Sequence, residues 1–332
     1  MSKNFLGEKL PSPPSDGVSA VRFSSTSDLL LVASWDASIR LYDANERQMR
    51  GMVSHGAPVL DCNFQDEKSV FSGGLDGKVQ SHDFYHQGNP IVLGNHQKAV
   101  RCVEYLKEQG LVASGGWDGV LNLWDPRQYQ SPIVSIQLPG KVFTAAHTAE
   151  RLVVGTSERH VLVYDLRNIS GGQPDEHRES SLRHQTRCIR SFPDGQGYGL
   201  GSTEGRVAIE FFGSSNEGRK YAFKCHRKKV ENREVVYPVN AIAFHPVHGT
   251  FATGGCDGAV YVWDGDNKKR LSQVSGFPAS IAALDFNRNG TLLAIASSYT
   301  FEQGEKDHAG DEIYVRPIQD SEAQPKPRKS SI

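Results

Sequence analysis

The sequence predicts an all-β chain in which seven four-stranded units follow one another as the blades of a single β-propeller. Three features of the 332-residue chain support this prediction. A repeated pattern ends in aspartate about every 40 residues, tight turns of the Asp-Gly type recur, and short apolar strands alternate with polar residues. The repeat sets the number of units, and the turns place the hairpins inside each unit.

The repeat is visible in five segments, each of which leads from an apolar run through a turn to a final aspartate. They are LLLVASWDASIRLYD, SVFSGGLDGKVQSHD, GLVASGGWDGVLNLWD, RLVVGTSERHVLVYD and TFATGGCDGAVYVWD, which end at Asp43, Asp83, Asp125, Asp165 and Asp264. The last interval has room for two units, and GYGLGSTEGRVAIEFF fills it with Phe212 in place of the aspartate. A seventh unit follows as TLLAIASSYTF, a polar insertion and DEIYVRPI.

The internal plan of a unit is an alternating strand, a second strand, a tight turn and a third strand. Turns such as Asp76-Gly77 and Asp118-Gly119 favour hairpins, because glycine adopts the positive φ that the turn requires. More polar stretches such as NPIVLGNH and KYAFKCHR supply fourth strands. The seventh unit lacks one, so we expect NFLGEKL, near the N-terminus, to complete it and close the ring. The predicted domain is residues 1–320, followed by a disordered tail over 321–332.

Composition gives little indication of a charged partner surface or of chemistry. Lys plus Arg (37) balance Asp plus Glu (38), so no global field attracts the chain to nucleic acid or to an anionic membrane. We found no apolar run of membrane-spanning length and no secretory signal pattern, and we expect a soluble, intracellular protein. The five cysteines contain no CxxC pair, and we interpret them as reduced core residues.

The Trp-Asp endings and the histidines before inner strands, His55 and His96, resemble the WD40-repeat family across almost the whole chain. The fifth and seventh units lack that ending, and His82 replaces the tryptophan of the second. The runs SWDASIRLYD, VLDCNF, RCVEY, WDGVLNLWDPR, RESSLRHQTRCIR, EGRVAIEFF, KYAFKCHR, YPVNAIAFHP and FATGGCDG are similar to the spindle-assembly-checkpoint branch of that family. The messenger-RNA-export branch, which binds nucleoporins, shares the fold and is the alternative.

The resemblance to the checkpoint branch implies an adaptor without enzymatic activity, cofactor or metal. It implies binding of the GLEBS motifs of a checkpoint kinase and pseudokinase, and docking on phosphorylated Met-Glu-Leu-Thr repeats of the kinetochore scaffold. Inhibitors of the anaphase-promoting complex are a further implied partner, within the mitotic checkpoint complex. The implied location is the nucleus, and the kinetochore in mitosis, with no membrane and no direct nucleic-acid contact.

Trp35 and Trp117 both precede the turn aspartate, in the first and third units. Two aromatics at equivalent turns can form an apolar platform for a partner, because tryptophan is enriched at interface hot spots. They can equally pack beneath adjoining loops. Arg187 begins the inner strand of the fifth unit and can bind a carboxylate, although a solvated surface arginine fits the sequence as well. The resemblance implies that all three bind the GLEBS peptide.

A second group of basic residues lies in and after the fifth unit. Arg206 follows the Glu204-Gly205 turn, and Lys224 lies near the upper end of the outer strand. Two cations on one blade can converge on a phosphothreonine, which carries about −1.5 to −2 charges. The resemblance implies that Arg206 and Lys224 read that phosphate, whereas the other basic residues there fit an ordinary solvated face.

Two other interpretations of the polar residues, as a catalytic triad and as a zinc site, are not supported by the sequence. His96, Ser114 and Asp118 have the residue types of a hydrolase triad, but in a WD40 unit the same types form a structural hydrogen-bond network with Trp124,. The histidines show no zinc-ligand spacing. An interaction scaffold is therefore favoured over an enzyme or a nucleic-acid binder.

Overall fold

The computed structural model describes residues 5–86 and 88–326. Seven four-stranded antiparallel sheets follow one another along the chain, and a two-stranded hairpin lies between the fifth and the sixth. The inner strand of each sheet contacts the inner strands of both neighbours, and the first sheet contacts the seventh. The sheets therefore form a closed ring, and the predicted seven-bladed β-propeller is confirmed.

The first four blades use strands β2 to β17. Blade 1 consists of β2 (Val18–Phe23), β3 (Leu29–Ser34), β4 (Ser38–Asp43) and β5 (Gln48–Ser54). Blade 2 consists of β6 (Val59–Phe64), β7 (Ser69–Gly74), β8 (Lys78–Asp83) and β9 (Ile91–Asn95). Blade 3 consists of β10 (Val100–Leu106), β11 (Leu111–Gly116), β12 (Val120–Trp124) and β13 (Val134–Gln137). Blade 4 consists of β14 (Val142–His147), β15 (Arg151–Thr156), β16 (His160–Asp165) and β17 (Glu176–Glu179).

The remaining blades include the hairpin and the first strand of the chain. Blade 5 consists of β18 (Thr186–Ser191), β19 (Gly197–Ser202), β20 (Arg206–Phe211) and β21 (Tyr221–Lys224). The hairpin consists of β22 (Arg227–Val230) and β23 (Arg233–Val236). Blade 6 consists of β24 (Val239–Phe244), β25 (Phe251–Gly255), β26 (Ala259–Asp264) and β27 (Lys269–Ser275). Blade 7 consists of β28 (Ile281–Phe286), β29 (Leu292–Ser297), β30 (Glu312–Pro317) and β1 (Glu8–Lys9).

Short helices lie between or after these strands. Within the described residues, three are 3₁₀ helices at Ser157–Arg159, Ile169–Gly171 and Ser214–Arg219, and one is the α-helix α1 (Asp320–Ala323). No helix of the described residues is long and apolar enough to cross a membrane.

The N-terminal segment closes the ring as predicted. β1 pairs antiparallel with β30, with Glu8 opposite Val315. The amide of Leu10 then donates a 2.8 Å hydrogen bond to the carbonyl of Ile313. The Leu10 side chain is buried in a cluster shared by blades 1 and 7. Both chain ends therefore contribute to one sheet, so the ring closes through backbone hydrogen bonds and apolar packing.

The core is divided among the interfaces between neighbouring blades. Successive side chains of a strand point to opposite faces of its sheet, so one strand supplies two interfaces. In β15, Leu152 and Val154 pack towards blade 3, whereas Val153 between them packs towards blade 5. This alternation explains why the central strands are almost continuously apolar, since both of their faces are covered.

In several blades, a network of hydrogen-bonded polar side chains connects the strands to the tight turn of the same blade. In blade 3, His96 Nδ1 lies 3.1 Å from Asp118 Oδ2, and its Nε2 lies 2.7 Å from Ser114 Oγ. Trp124 Nε1 donates to the same hydroxyl at 2.7 Å. The set is buried, which satisfies these polar groups within the blade,. In blade 2, His82 Nε2 lies 2.7 Å from the Ser72 hydroxyl, in the place of the tryptophan.

The predicted disordered tail over 321–332 is wrong for residues 321–326. The carbonyl of Ala323, whose side chain is buried, accepts a 2.8 Å hydrogen bond from Thr250 Oγ1. Arg316 and Glu322 form an ion pair at 2.6 Å. Apolar and ionic contacts with blades 6 and 7 therefore hold this segment, which extends the domain beyond the predicted boundary at 320. Residues 327–332 lie outside the described part of the chain.

The cysteines are all free thiols, and four of the five are buried. Burial raises the pKa of Cys188 to about 11, so the thiol rather than the thiolate is present near neutral pH. Within the described ranges, no cluster of three or more histidine, cysteine or acidic residues is arranged to hold a metal ion.

Candidate partner-binding surface

The face on which the turns between second and third strands emerge is called the upper face here. On this face, every inner strand carries a β-bulge at its second residue. A bulge leaves one residue outside the ladder and redirects its side chain. The seven residues so placed all line one cavity at the upper mouth of the central channel. They are Ser19, Leu60, Arg101, Phe143, Arg187, Asn240 and Ala282.

This cavity has a volume of about 600 Å³ and brings together Trp35, Trp117 and Arg187. The three residues come from blades 1, 3 and 5, so they meet only because the ring is closed. A volume of this size lies within the range of ordinary ligand pockets. The sequence placed these residues on one face, and the structure places them around one opening.

The same backbone hydrogen bond positions both tryptophans. The amide of Trp35 donates to the carbonyl of Gly17 at 2.9 Å, and that of Trp117 donates to the carbonyl of Ala99 at 2.8 Å. The Trp35 side chain is 41% exposed although it is apolar. Trp117 Nε1 is buried and has no hydrogen-bond partner in the structure. The two indoles therefore present apolar surface to the cavity.

Arg187 is held in place by an amide rather than by a carboxylate. Its Nη2 and Nε donate to Asn240 Oδ1 at 2.9 and 3.3 Å. Asn240 is fixed in turn, because its Nδ2 donates to the carbonyl of Ile281 at 3.1 Å. A neutral partner leaves the guanidinium charge uncompensated, and among the described residues no carboxylate lies within ion-pair distance of it. Arg187 can therefore still bind an anionic group.

Sequence reasoning missed the contribution of the insertion in blade 7. Tyr299, Thr300 and Phe301 line the cavity, and Phe301 is 61% exposed. The Tyr299 ring packs against Phe301 at 5.3 Å and against His308 at 5.2 Å between centroids. Its hydroxyl donates to the carbonyl of Gly304 at 2.8 Å. In the sequence, the two aromatic residues of the segment YTF were the available signal, and a polar insertion follows them.

Arg206 and Lys224 lie outside the cavity and form a separate pair. They are directly opposite each other in the register of β20 and β21, so their side chains leave the same face of the blade. Lys224 is exposed and Arg206 is half-buried. The pair lies at the upper end of blade 5, where the sequence placed it.

Glu204 occupies the space beside this pair. Its Oε1 lies 3.4 Å from Arg206 Nε, and its Oε2 lies 3.4 Å from His184 Nε2. The contact with Arg206 lacks hydrogen-bond geometry, and Arg206 Nε remains buried without a hydrogen-bond partner. The carboxylate therefore neutralises Arg206 only partly, and the side chain, which is 34% exposed, can still contact an incoming anion.

The other basic residues near blade 5 mostly have structural contacts. Arg227 donates to the carbonyl of Glu204 at 2.9 Å and pairs with Glu234 at 2.8 Å. Lys228 donates to the carbonyl of Asp257 at 2.8 Å, and the Arg219 guanidinium lies 4.1 Å from the Phe211 ring centre. The contacts of Arg227 and Lys228 hold the hairpin against the turns of blades 5 and 6.

Comparison with known proteins agrees with the repeat. The model of the family described as "WD domain, G-beta repeat" matches residues 7–43, 90–125 and 222–264. Mitotic checkpoint protein BUB3.1 of Arabidopsis thaliana is 53% identical, covering 97% of this chain and 96% of its own. Mitotic checkpoint protein bub3 of Dictyostelium discoideum is 46% identical, covering 92% and 93%. A Poly(A)+ RNA export protein of Schizosaccharomyces pombe is 34% identical, covering 96% and 92%. The chain belongs to the mitotic checkpoint Bub3 family of WD40-repeat proteins.

Proposed function

We propose that this protein is a spindle-assembly-checkpoint adaptor with two separate peptide sites on its upper face. One site binds the GLEBS motif of a checkpoint kinase or pseudokinase, and the other binds a phosphorylated Met-Glu-Leu-Thr repeat of the kinetochore scaffold. The observation that carries this function is the meeting of Trp35, Trp117 and an uncompensated Arg187 around one cavity.

The chemistry of the cavity suits an acidic peptide with apolar side chains. The indoles of Trp35 and Trp117 offer apolar area that a partner can bury, which is typical of interface hot spots. Arg187 supplies a cation fixed by Asn240, so little side-chain freedom is lost when a carboxylate binds.

The chemistry of the second site suits a phosphothreonine. Arg206 and Lys224 are cross-strand neighbours, and their combined charge matches that of a phosphate dianion. A neutral threonine gains nothing from two cations, so the site discriminates by charge. The two sites lie on different parts of one face, which allows a kinase-bound adaptor to dock on the scaffold.

The same function gives the protein its partners and its place in the cell. We propose that it works by binding rather than by catalysis, in the nucleus and at kinetochores in mitosis. Inhibitors of the anaphase-promoting complex join it within the mitotic checkpoint complex. The upper face serves kinase and scaffold, so further members of that complex assemble through the bound kinase or another surface.

Calorimetry with a phosphorylated and an unphosphorylated Met-Glu-Leu-Thr peptide tests the second site. We expect Arg206→Ala to weaken the phosphopeptide by 1.5 to 3 kcal/mol, roughly the worth of a hydrogen bond to a charged group. The matched control is Lys229→Ala, which removes one positive charge from the nearby, exposed part of the hairpin. Equal binding of both peptides to the wild-type chain, or equal effects of the two substitutions, contradicts this assignment.

The alternative function is messenger-RNA export through nucleoporin binding. It is favoured by one observation, the 34% identity to an RNA export protein over 96% of this chain. A pull-down from mitotic extract separates the two. Recovery of checkpoint kinases supports the adaptor, whereas recovery of nucleoporins without those kinases supports export.

A further inference from the structure

The face opposite the upper face has a cavity of its own. It has a volume of about 420 Å³ and lies at the lower mouth of the central channel. The loops that follow the inner strands of blades 4, 5 and 6 surround it, with Ala149, Pro193 and Pro246 among the lining residues. Neither proposed peptide site uses this region, because both lie on the upper face.

Arg190 lies in the wall of this cavity and also borders the narrow neck of the channel above it. Among the described residues its hydrogen-bond partner is a backbone carbonyl, that of Ile189, which Nη1 contacts at 3.1 Å. No carboxylate of the described chain lies within ion-pair distance of it. Burial and then the nearby Arg22 lower the pKa of Arg190, while the longer-range attraction of Glu104, Asp61 and Asp285 acts in the opposite direction. Because Arg190 is only partly exposed and forms no direct ion pair, a carboxylate ligand can still stabilise its charge.

The acidic residues nearby are already engaged elsewhere. Arg22 lies 3.4 Å from Asp61 and 3.2 Å from Glu104. Glu104 also contacts His147, which borders the cavity, with 3.0 Å between Oε2 and the ring Nδ1. Arg22 therefore forms two direct ion pairs, whereas Arg190 forms none among the described residues and feels these carboxylates only at longer range.

Two acidic residues line the cavity itself, and neither pairs with Arg190. Asp285 accepts a 2.7 Å hydrogen bond from the amide of Phe23, and burial raises the pKa of its carboxyl. Asp194 is exposed at the rim, where its Oδ1 accepts from the amide of Gln196 at 2.9 Å. Both carboxylates are thus held by backbone amides.

The rest of the wall combines one unused polar atom with apolar surface. Ser191 Oγ is buried without a hydrogen-bond partner and belongs to a residue that lines the cavity. The Phe192 and Phe244 rings pack edge to face, with centroids 5.0 Å apart. A ligand that fits this wall carries an anionic oxygen for Arg190 and apolar atoms beside it.

We propose that the lower mouth of the channel binds a carboxylate flanked by apolar side chains, presented by a short segment of a partner protein. The carboxylate pairs with Arg190, and rotation of the Ser191 side chain can bring its Oγ into a second hydrogen bond. The flanking apolar side chain packs against Phe192 and Phe244. This site lies on the face opposite the two upper sites, so it stays accessible while both of them are occupied.

The experiment uses four short peptides with an N-terminal fluorophore and measures fluorescence anisotropy on the full chain. Two amide-capped peptides contain Leu-Glu-Phe or Leu-Gln-Phe, and two others end in Leu-Phe with a free or an amidated C-terminus. The first pair tests a side-chain carboxylate, and the second tests a terminal one. We expect one charged peptide to bind at least about tenfold more tightly than its neutral twin, the scale of a charge-assisted hydrogen bond.

Two substitutions locate the binding. Arg190→Gln removes the charge and should abolish the difference between the charged and neutral peptides. Ala149→Trp places a bulky side chain on an exposed loop at the rim, so it blocks the cavity without disturbing the core if Arg190→Gln fails to fold. Lys229→Ala, which removes one exposed positive charge from the hairpin on the upper face, is the control and should leave the affinities unchanged. Equal binding of charged and neutral twins, binding by none of the peptides, or full affinity in Ala149→Trp overturns the inference.

Discussion

The substitution Glu204→Gln should tighten the binding of a phosphothreonine peptide. Glu204 lies 3.4 Å from Arg206 Nε and 3.4 Å from His184 Nε2. At that position it neutralises part of the positive charge that attracts a phosphate. Glutamine has nearly the same shape and keeps the backbone contacts, including the 2.9 Å hydrogen bond from Arg227 to the carbonyl of residue 204. The substitution therefore changes charge at the phosphate site and little else.

The expected gain follows from the exposure of the pair. The Arg206 and Glu204 side chains are 34% and 21% exposed, so solvent screens their attraction and such a pair contributes about 1 kcal/mol or less. Removal of the carboxylate also removes its repulsion of the bound phosphate, which is of similar size. Together the two effects predict that the binding free energy of the phosphopeptide becomes about 1 kcal/mol more favourable, which is roughly a fivefold lower Kd.

Calorimetry at constant ionic strength measures this gain, since salt screens the interactions involved. The matched control is Glu234→Gln, which removes one negative charge from the ion pair with Arg227 at 2.8 Å. We expect the control to leave the phosphopeptide affinity nearly unchanged. An unchanged or weaker affinity in Glu204→Gln would refute the idea that this carboxylate competes with phosphate for Arg206.

Three further predictions concern the stability of the ring and are checked by urea unfolding. A methyl group at Gly94 would lie 2.1 Å from the ring of the buried Trp124, so Gly94→Ala should destabilise the chain by about 1 to 3 kcal/mol through overpacking. Ser114→Ala leaves Trp124 Nε1 without its acceptor and should cost about 1 to 3 kcal/mol. Burial lowers the pKa of His82 to about 4, so the unfolded chain binds more protons below pH 6.5. Stability should therefore fall as pH drops from about 6.5 towards 4, and less so in His82→Gln. An unchanged urea midpoint in Gly94→Ala or Ser114→Ala contradicts the corresponding prediction. The pH prediction is contradicted if stability depends on pH in the same way in His82→Gln as in the wild-type chain.

The repeat made most of the fold predictable from the sequence. Asp-Gly turns and terminal aspartates located the blades, and the missing outer strand of the last unit pointed to the strand at Glu8–Lys9. The packing of Ala323 beneath blade 6 was missed, because the charged and proline-containing tail SEAQPKP resembles a disordered one. The buried Ala323, the Arg316–Glu322 ion pair and the hydrogen bond from Thr250 hold this segment against the propeller.

The upper-face site was only partly predictable, because its shape depends on bulges. Arg187 was placed at the start of a strand, but the bulge that turns it into the channel is a property of pairing and not of composition. Phe301 comes from an insertion without a repeat counterpart. Arg190, three residues after the bulge, resembles an ordinary strand arginine in the sequence, and only the closed ring shows that it forms no direct ion pair with any described residue.

The most direct test of the central claim, that the upper face has two independent peptide sites, is calorimetry of both peptides on two variants. We expect Trp117→Ala to weaken a GLEBS peptide by about 2 kcal/mol or more, as for a hot-spot tryptophan, and to leave the phosphothreonine peptide unaffected. Arg206→Ala should do the reverse. If either variant weakens both peptides alike, or if neither weakens any, the assignment of two separate sites is wrong.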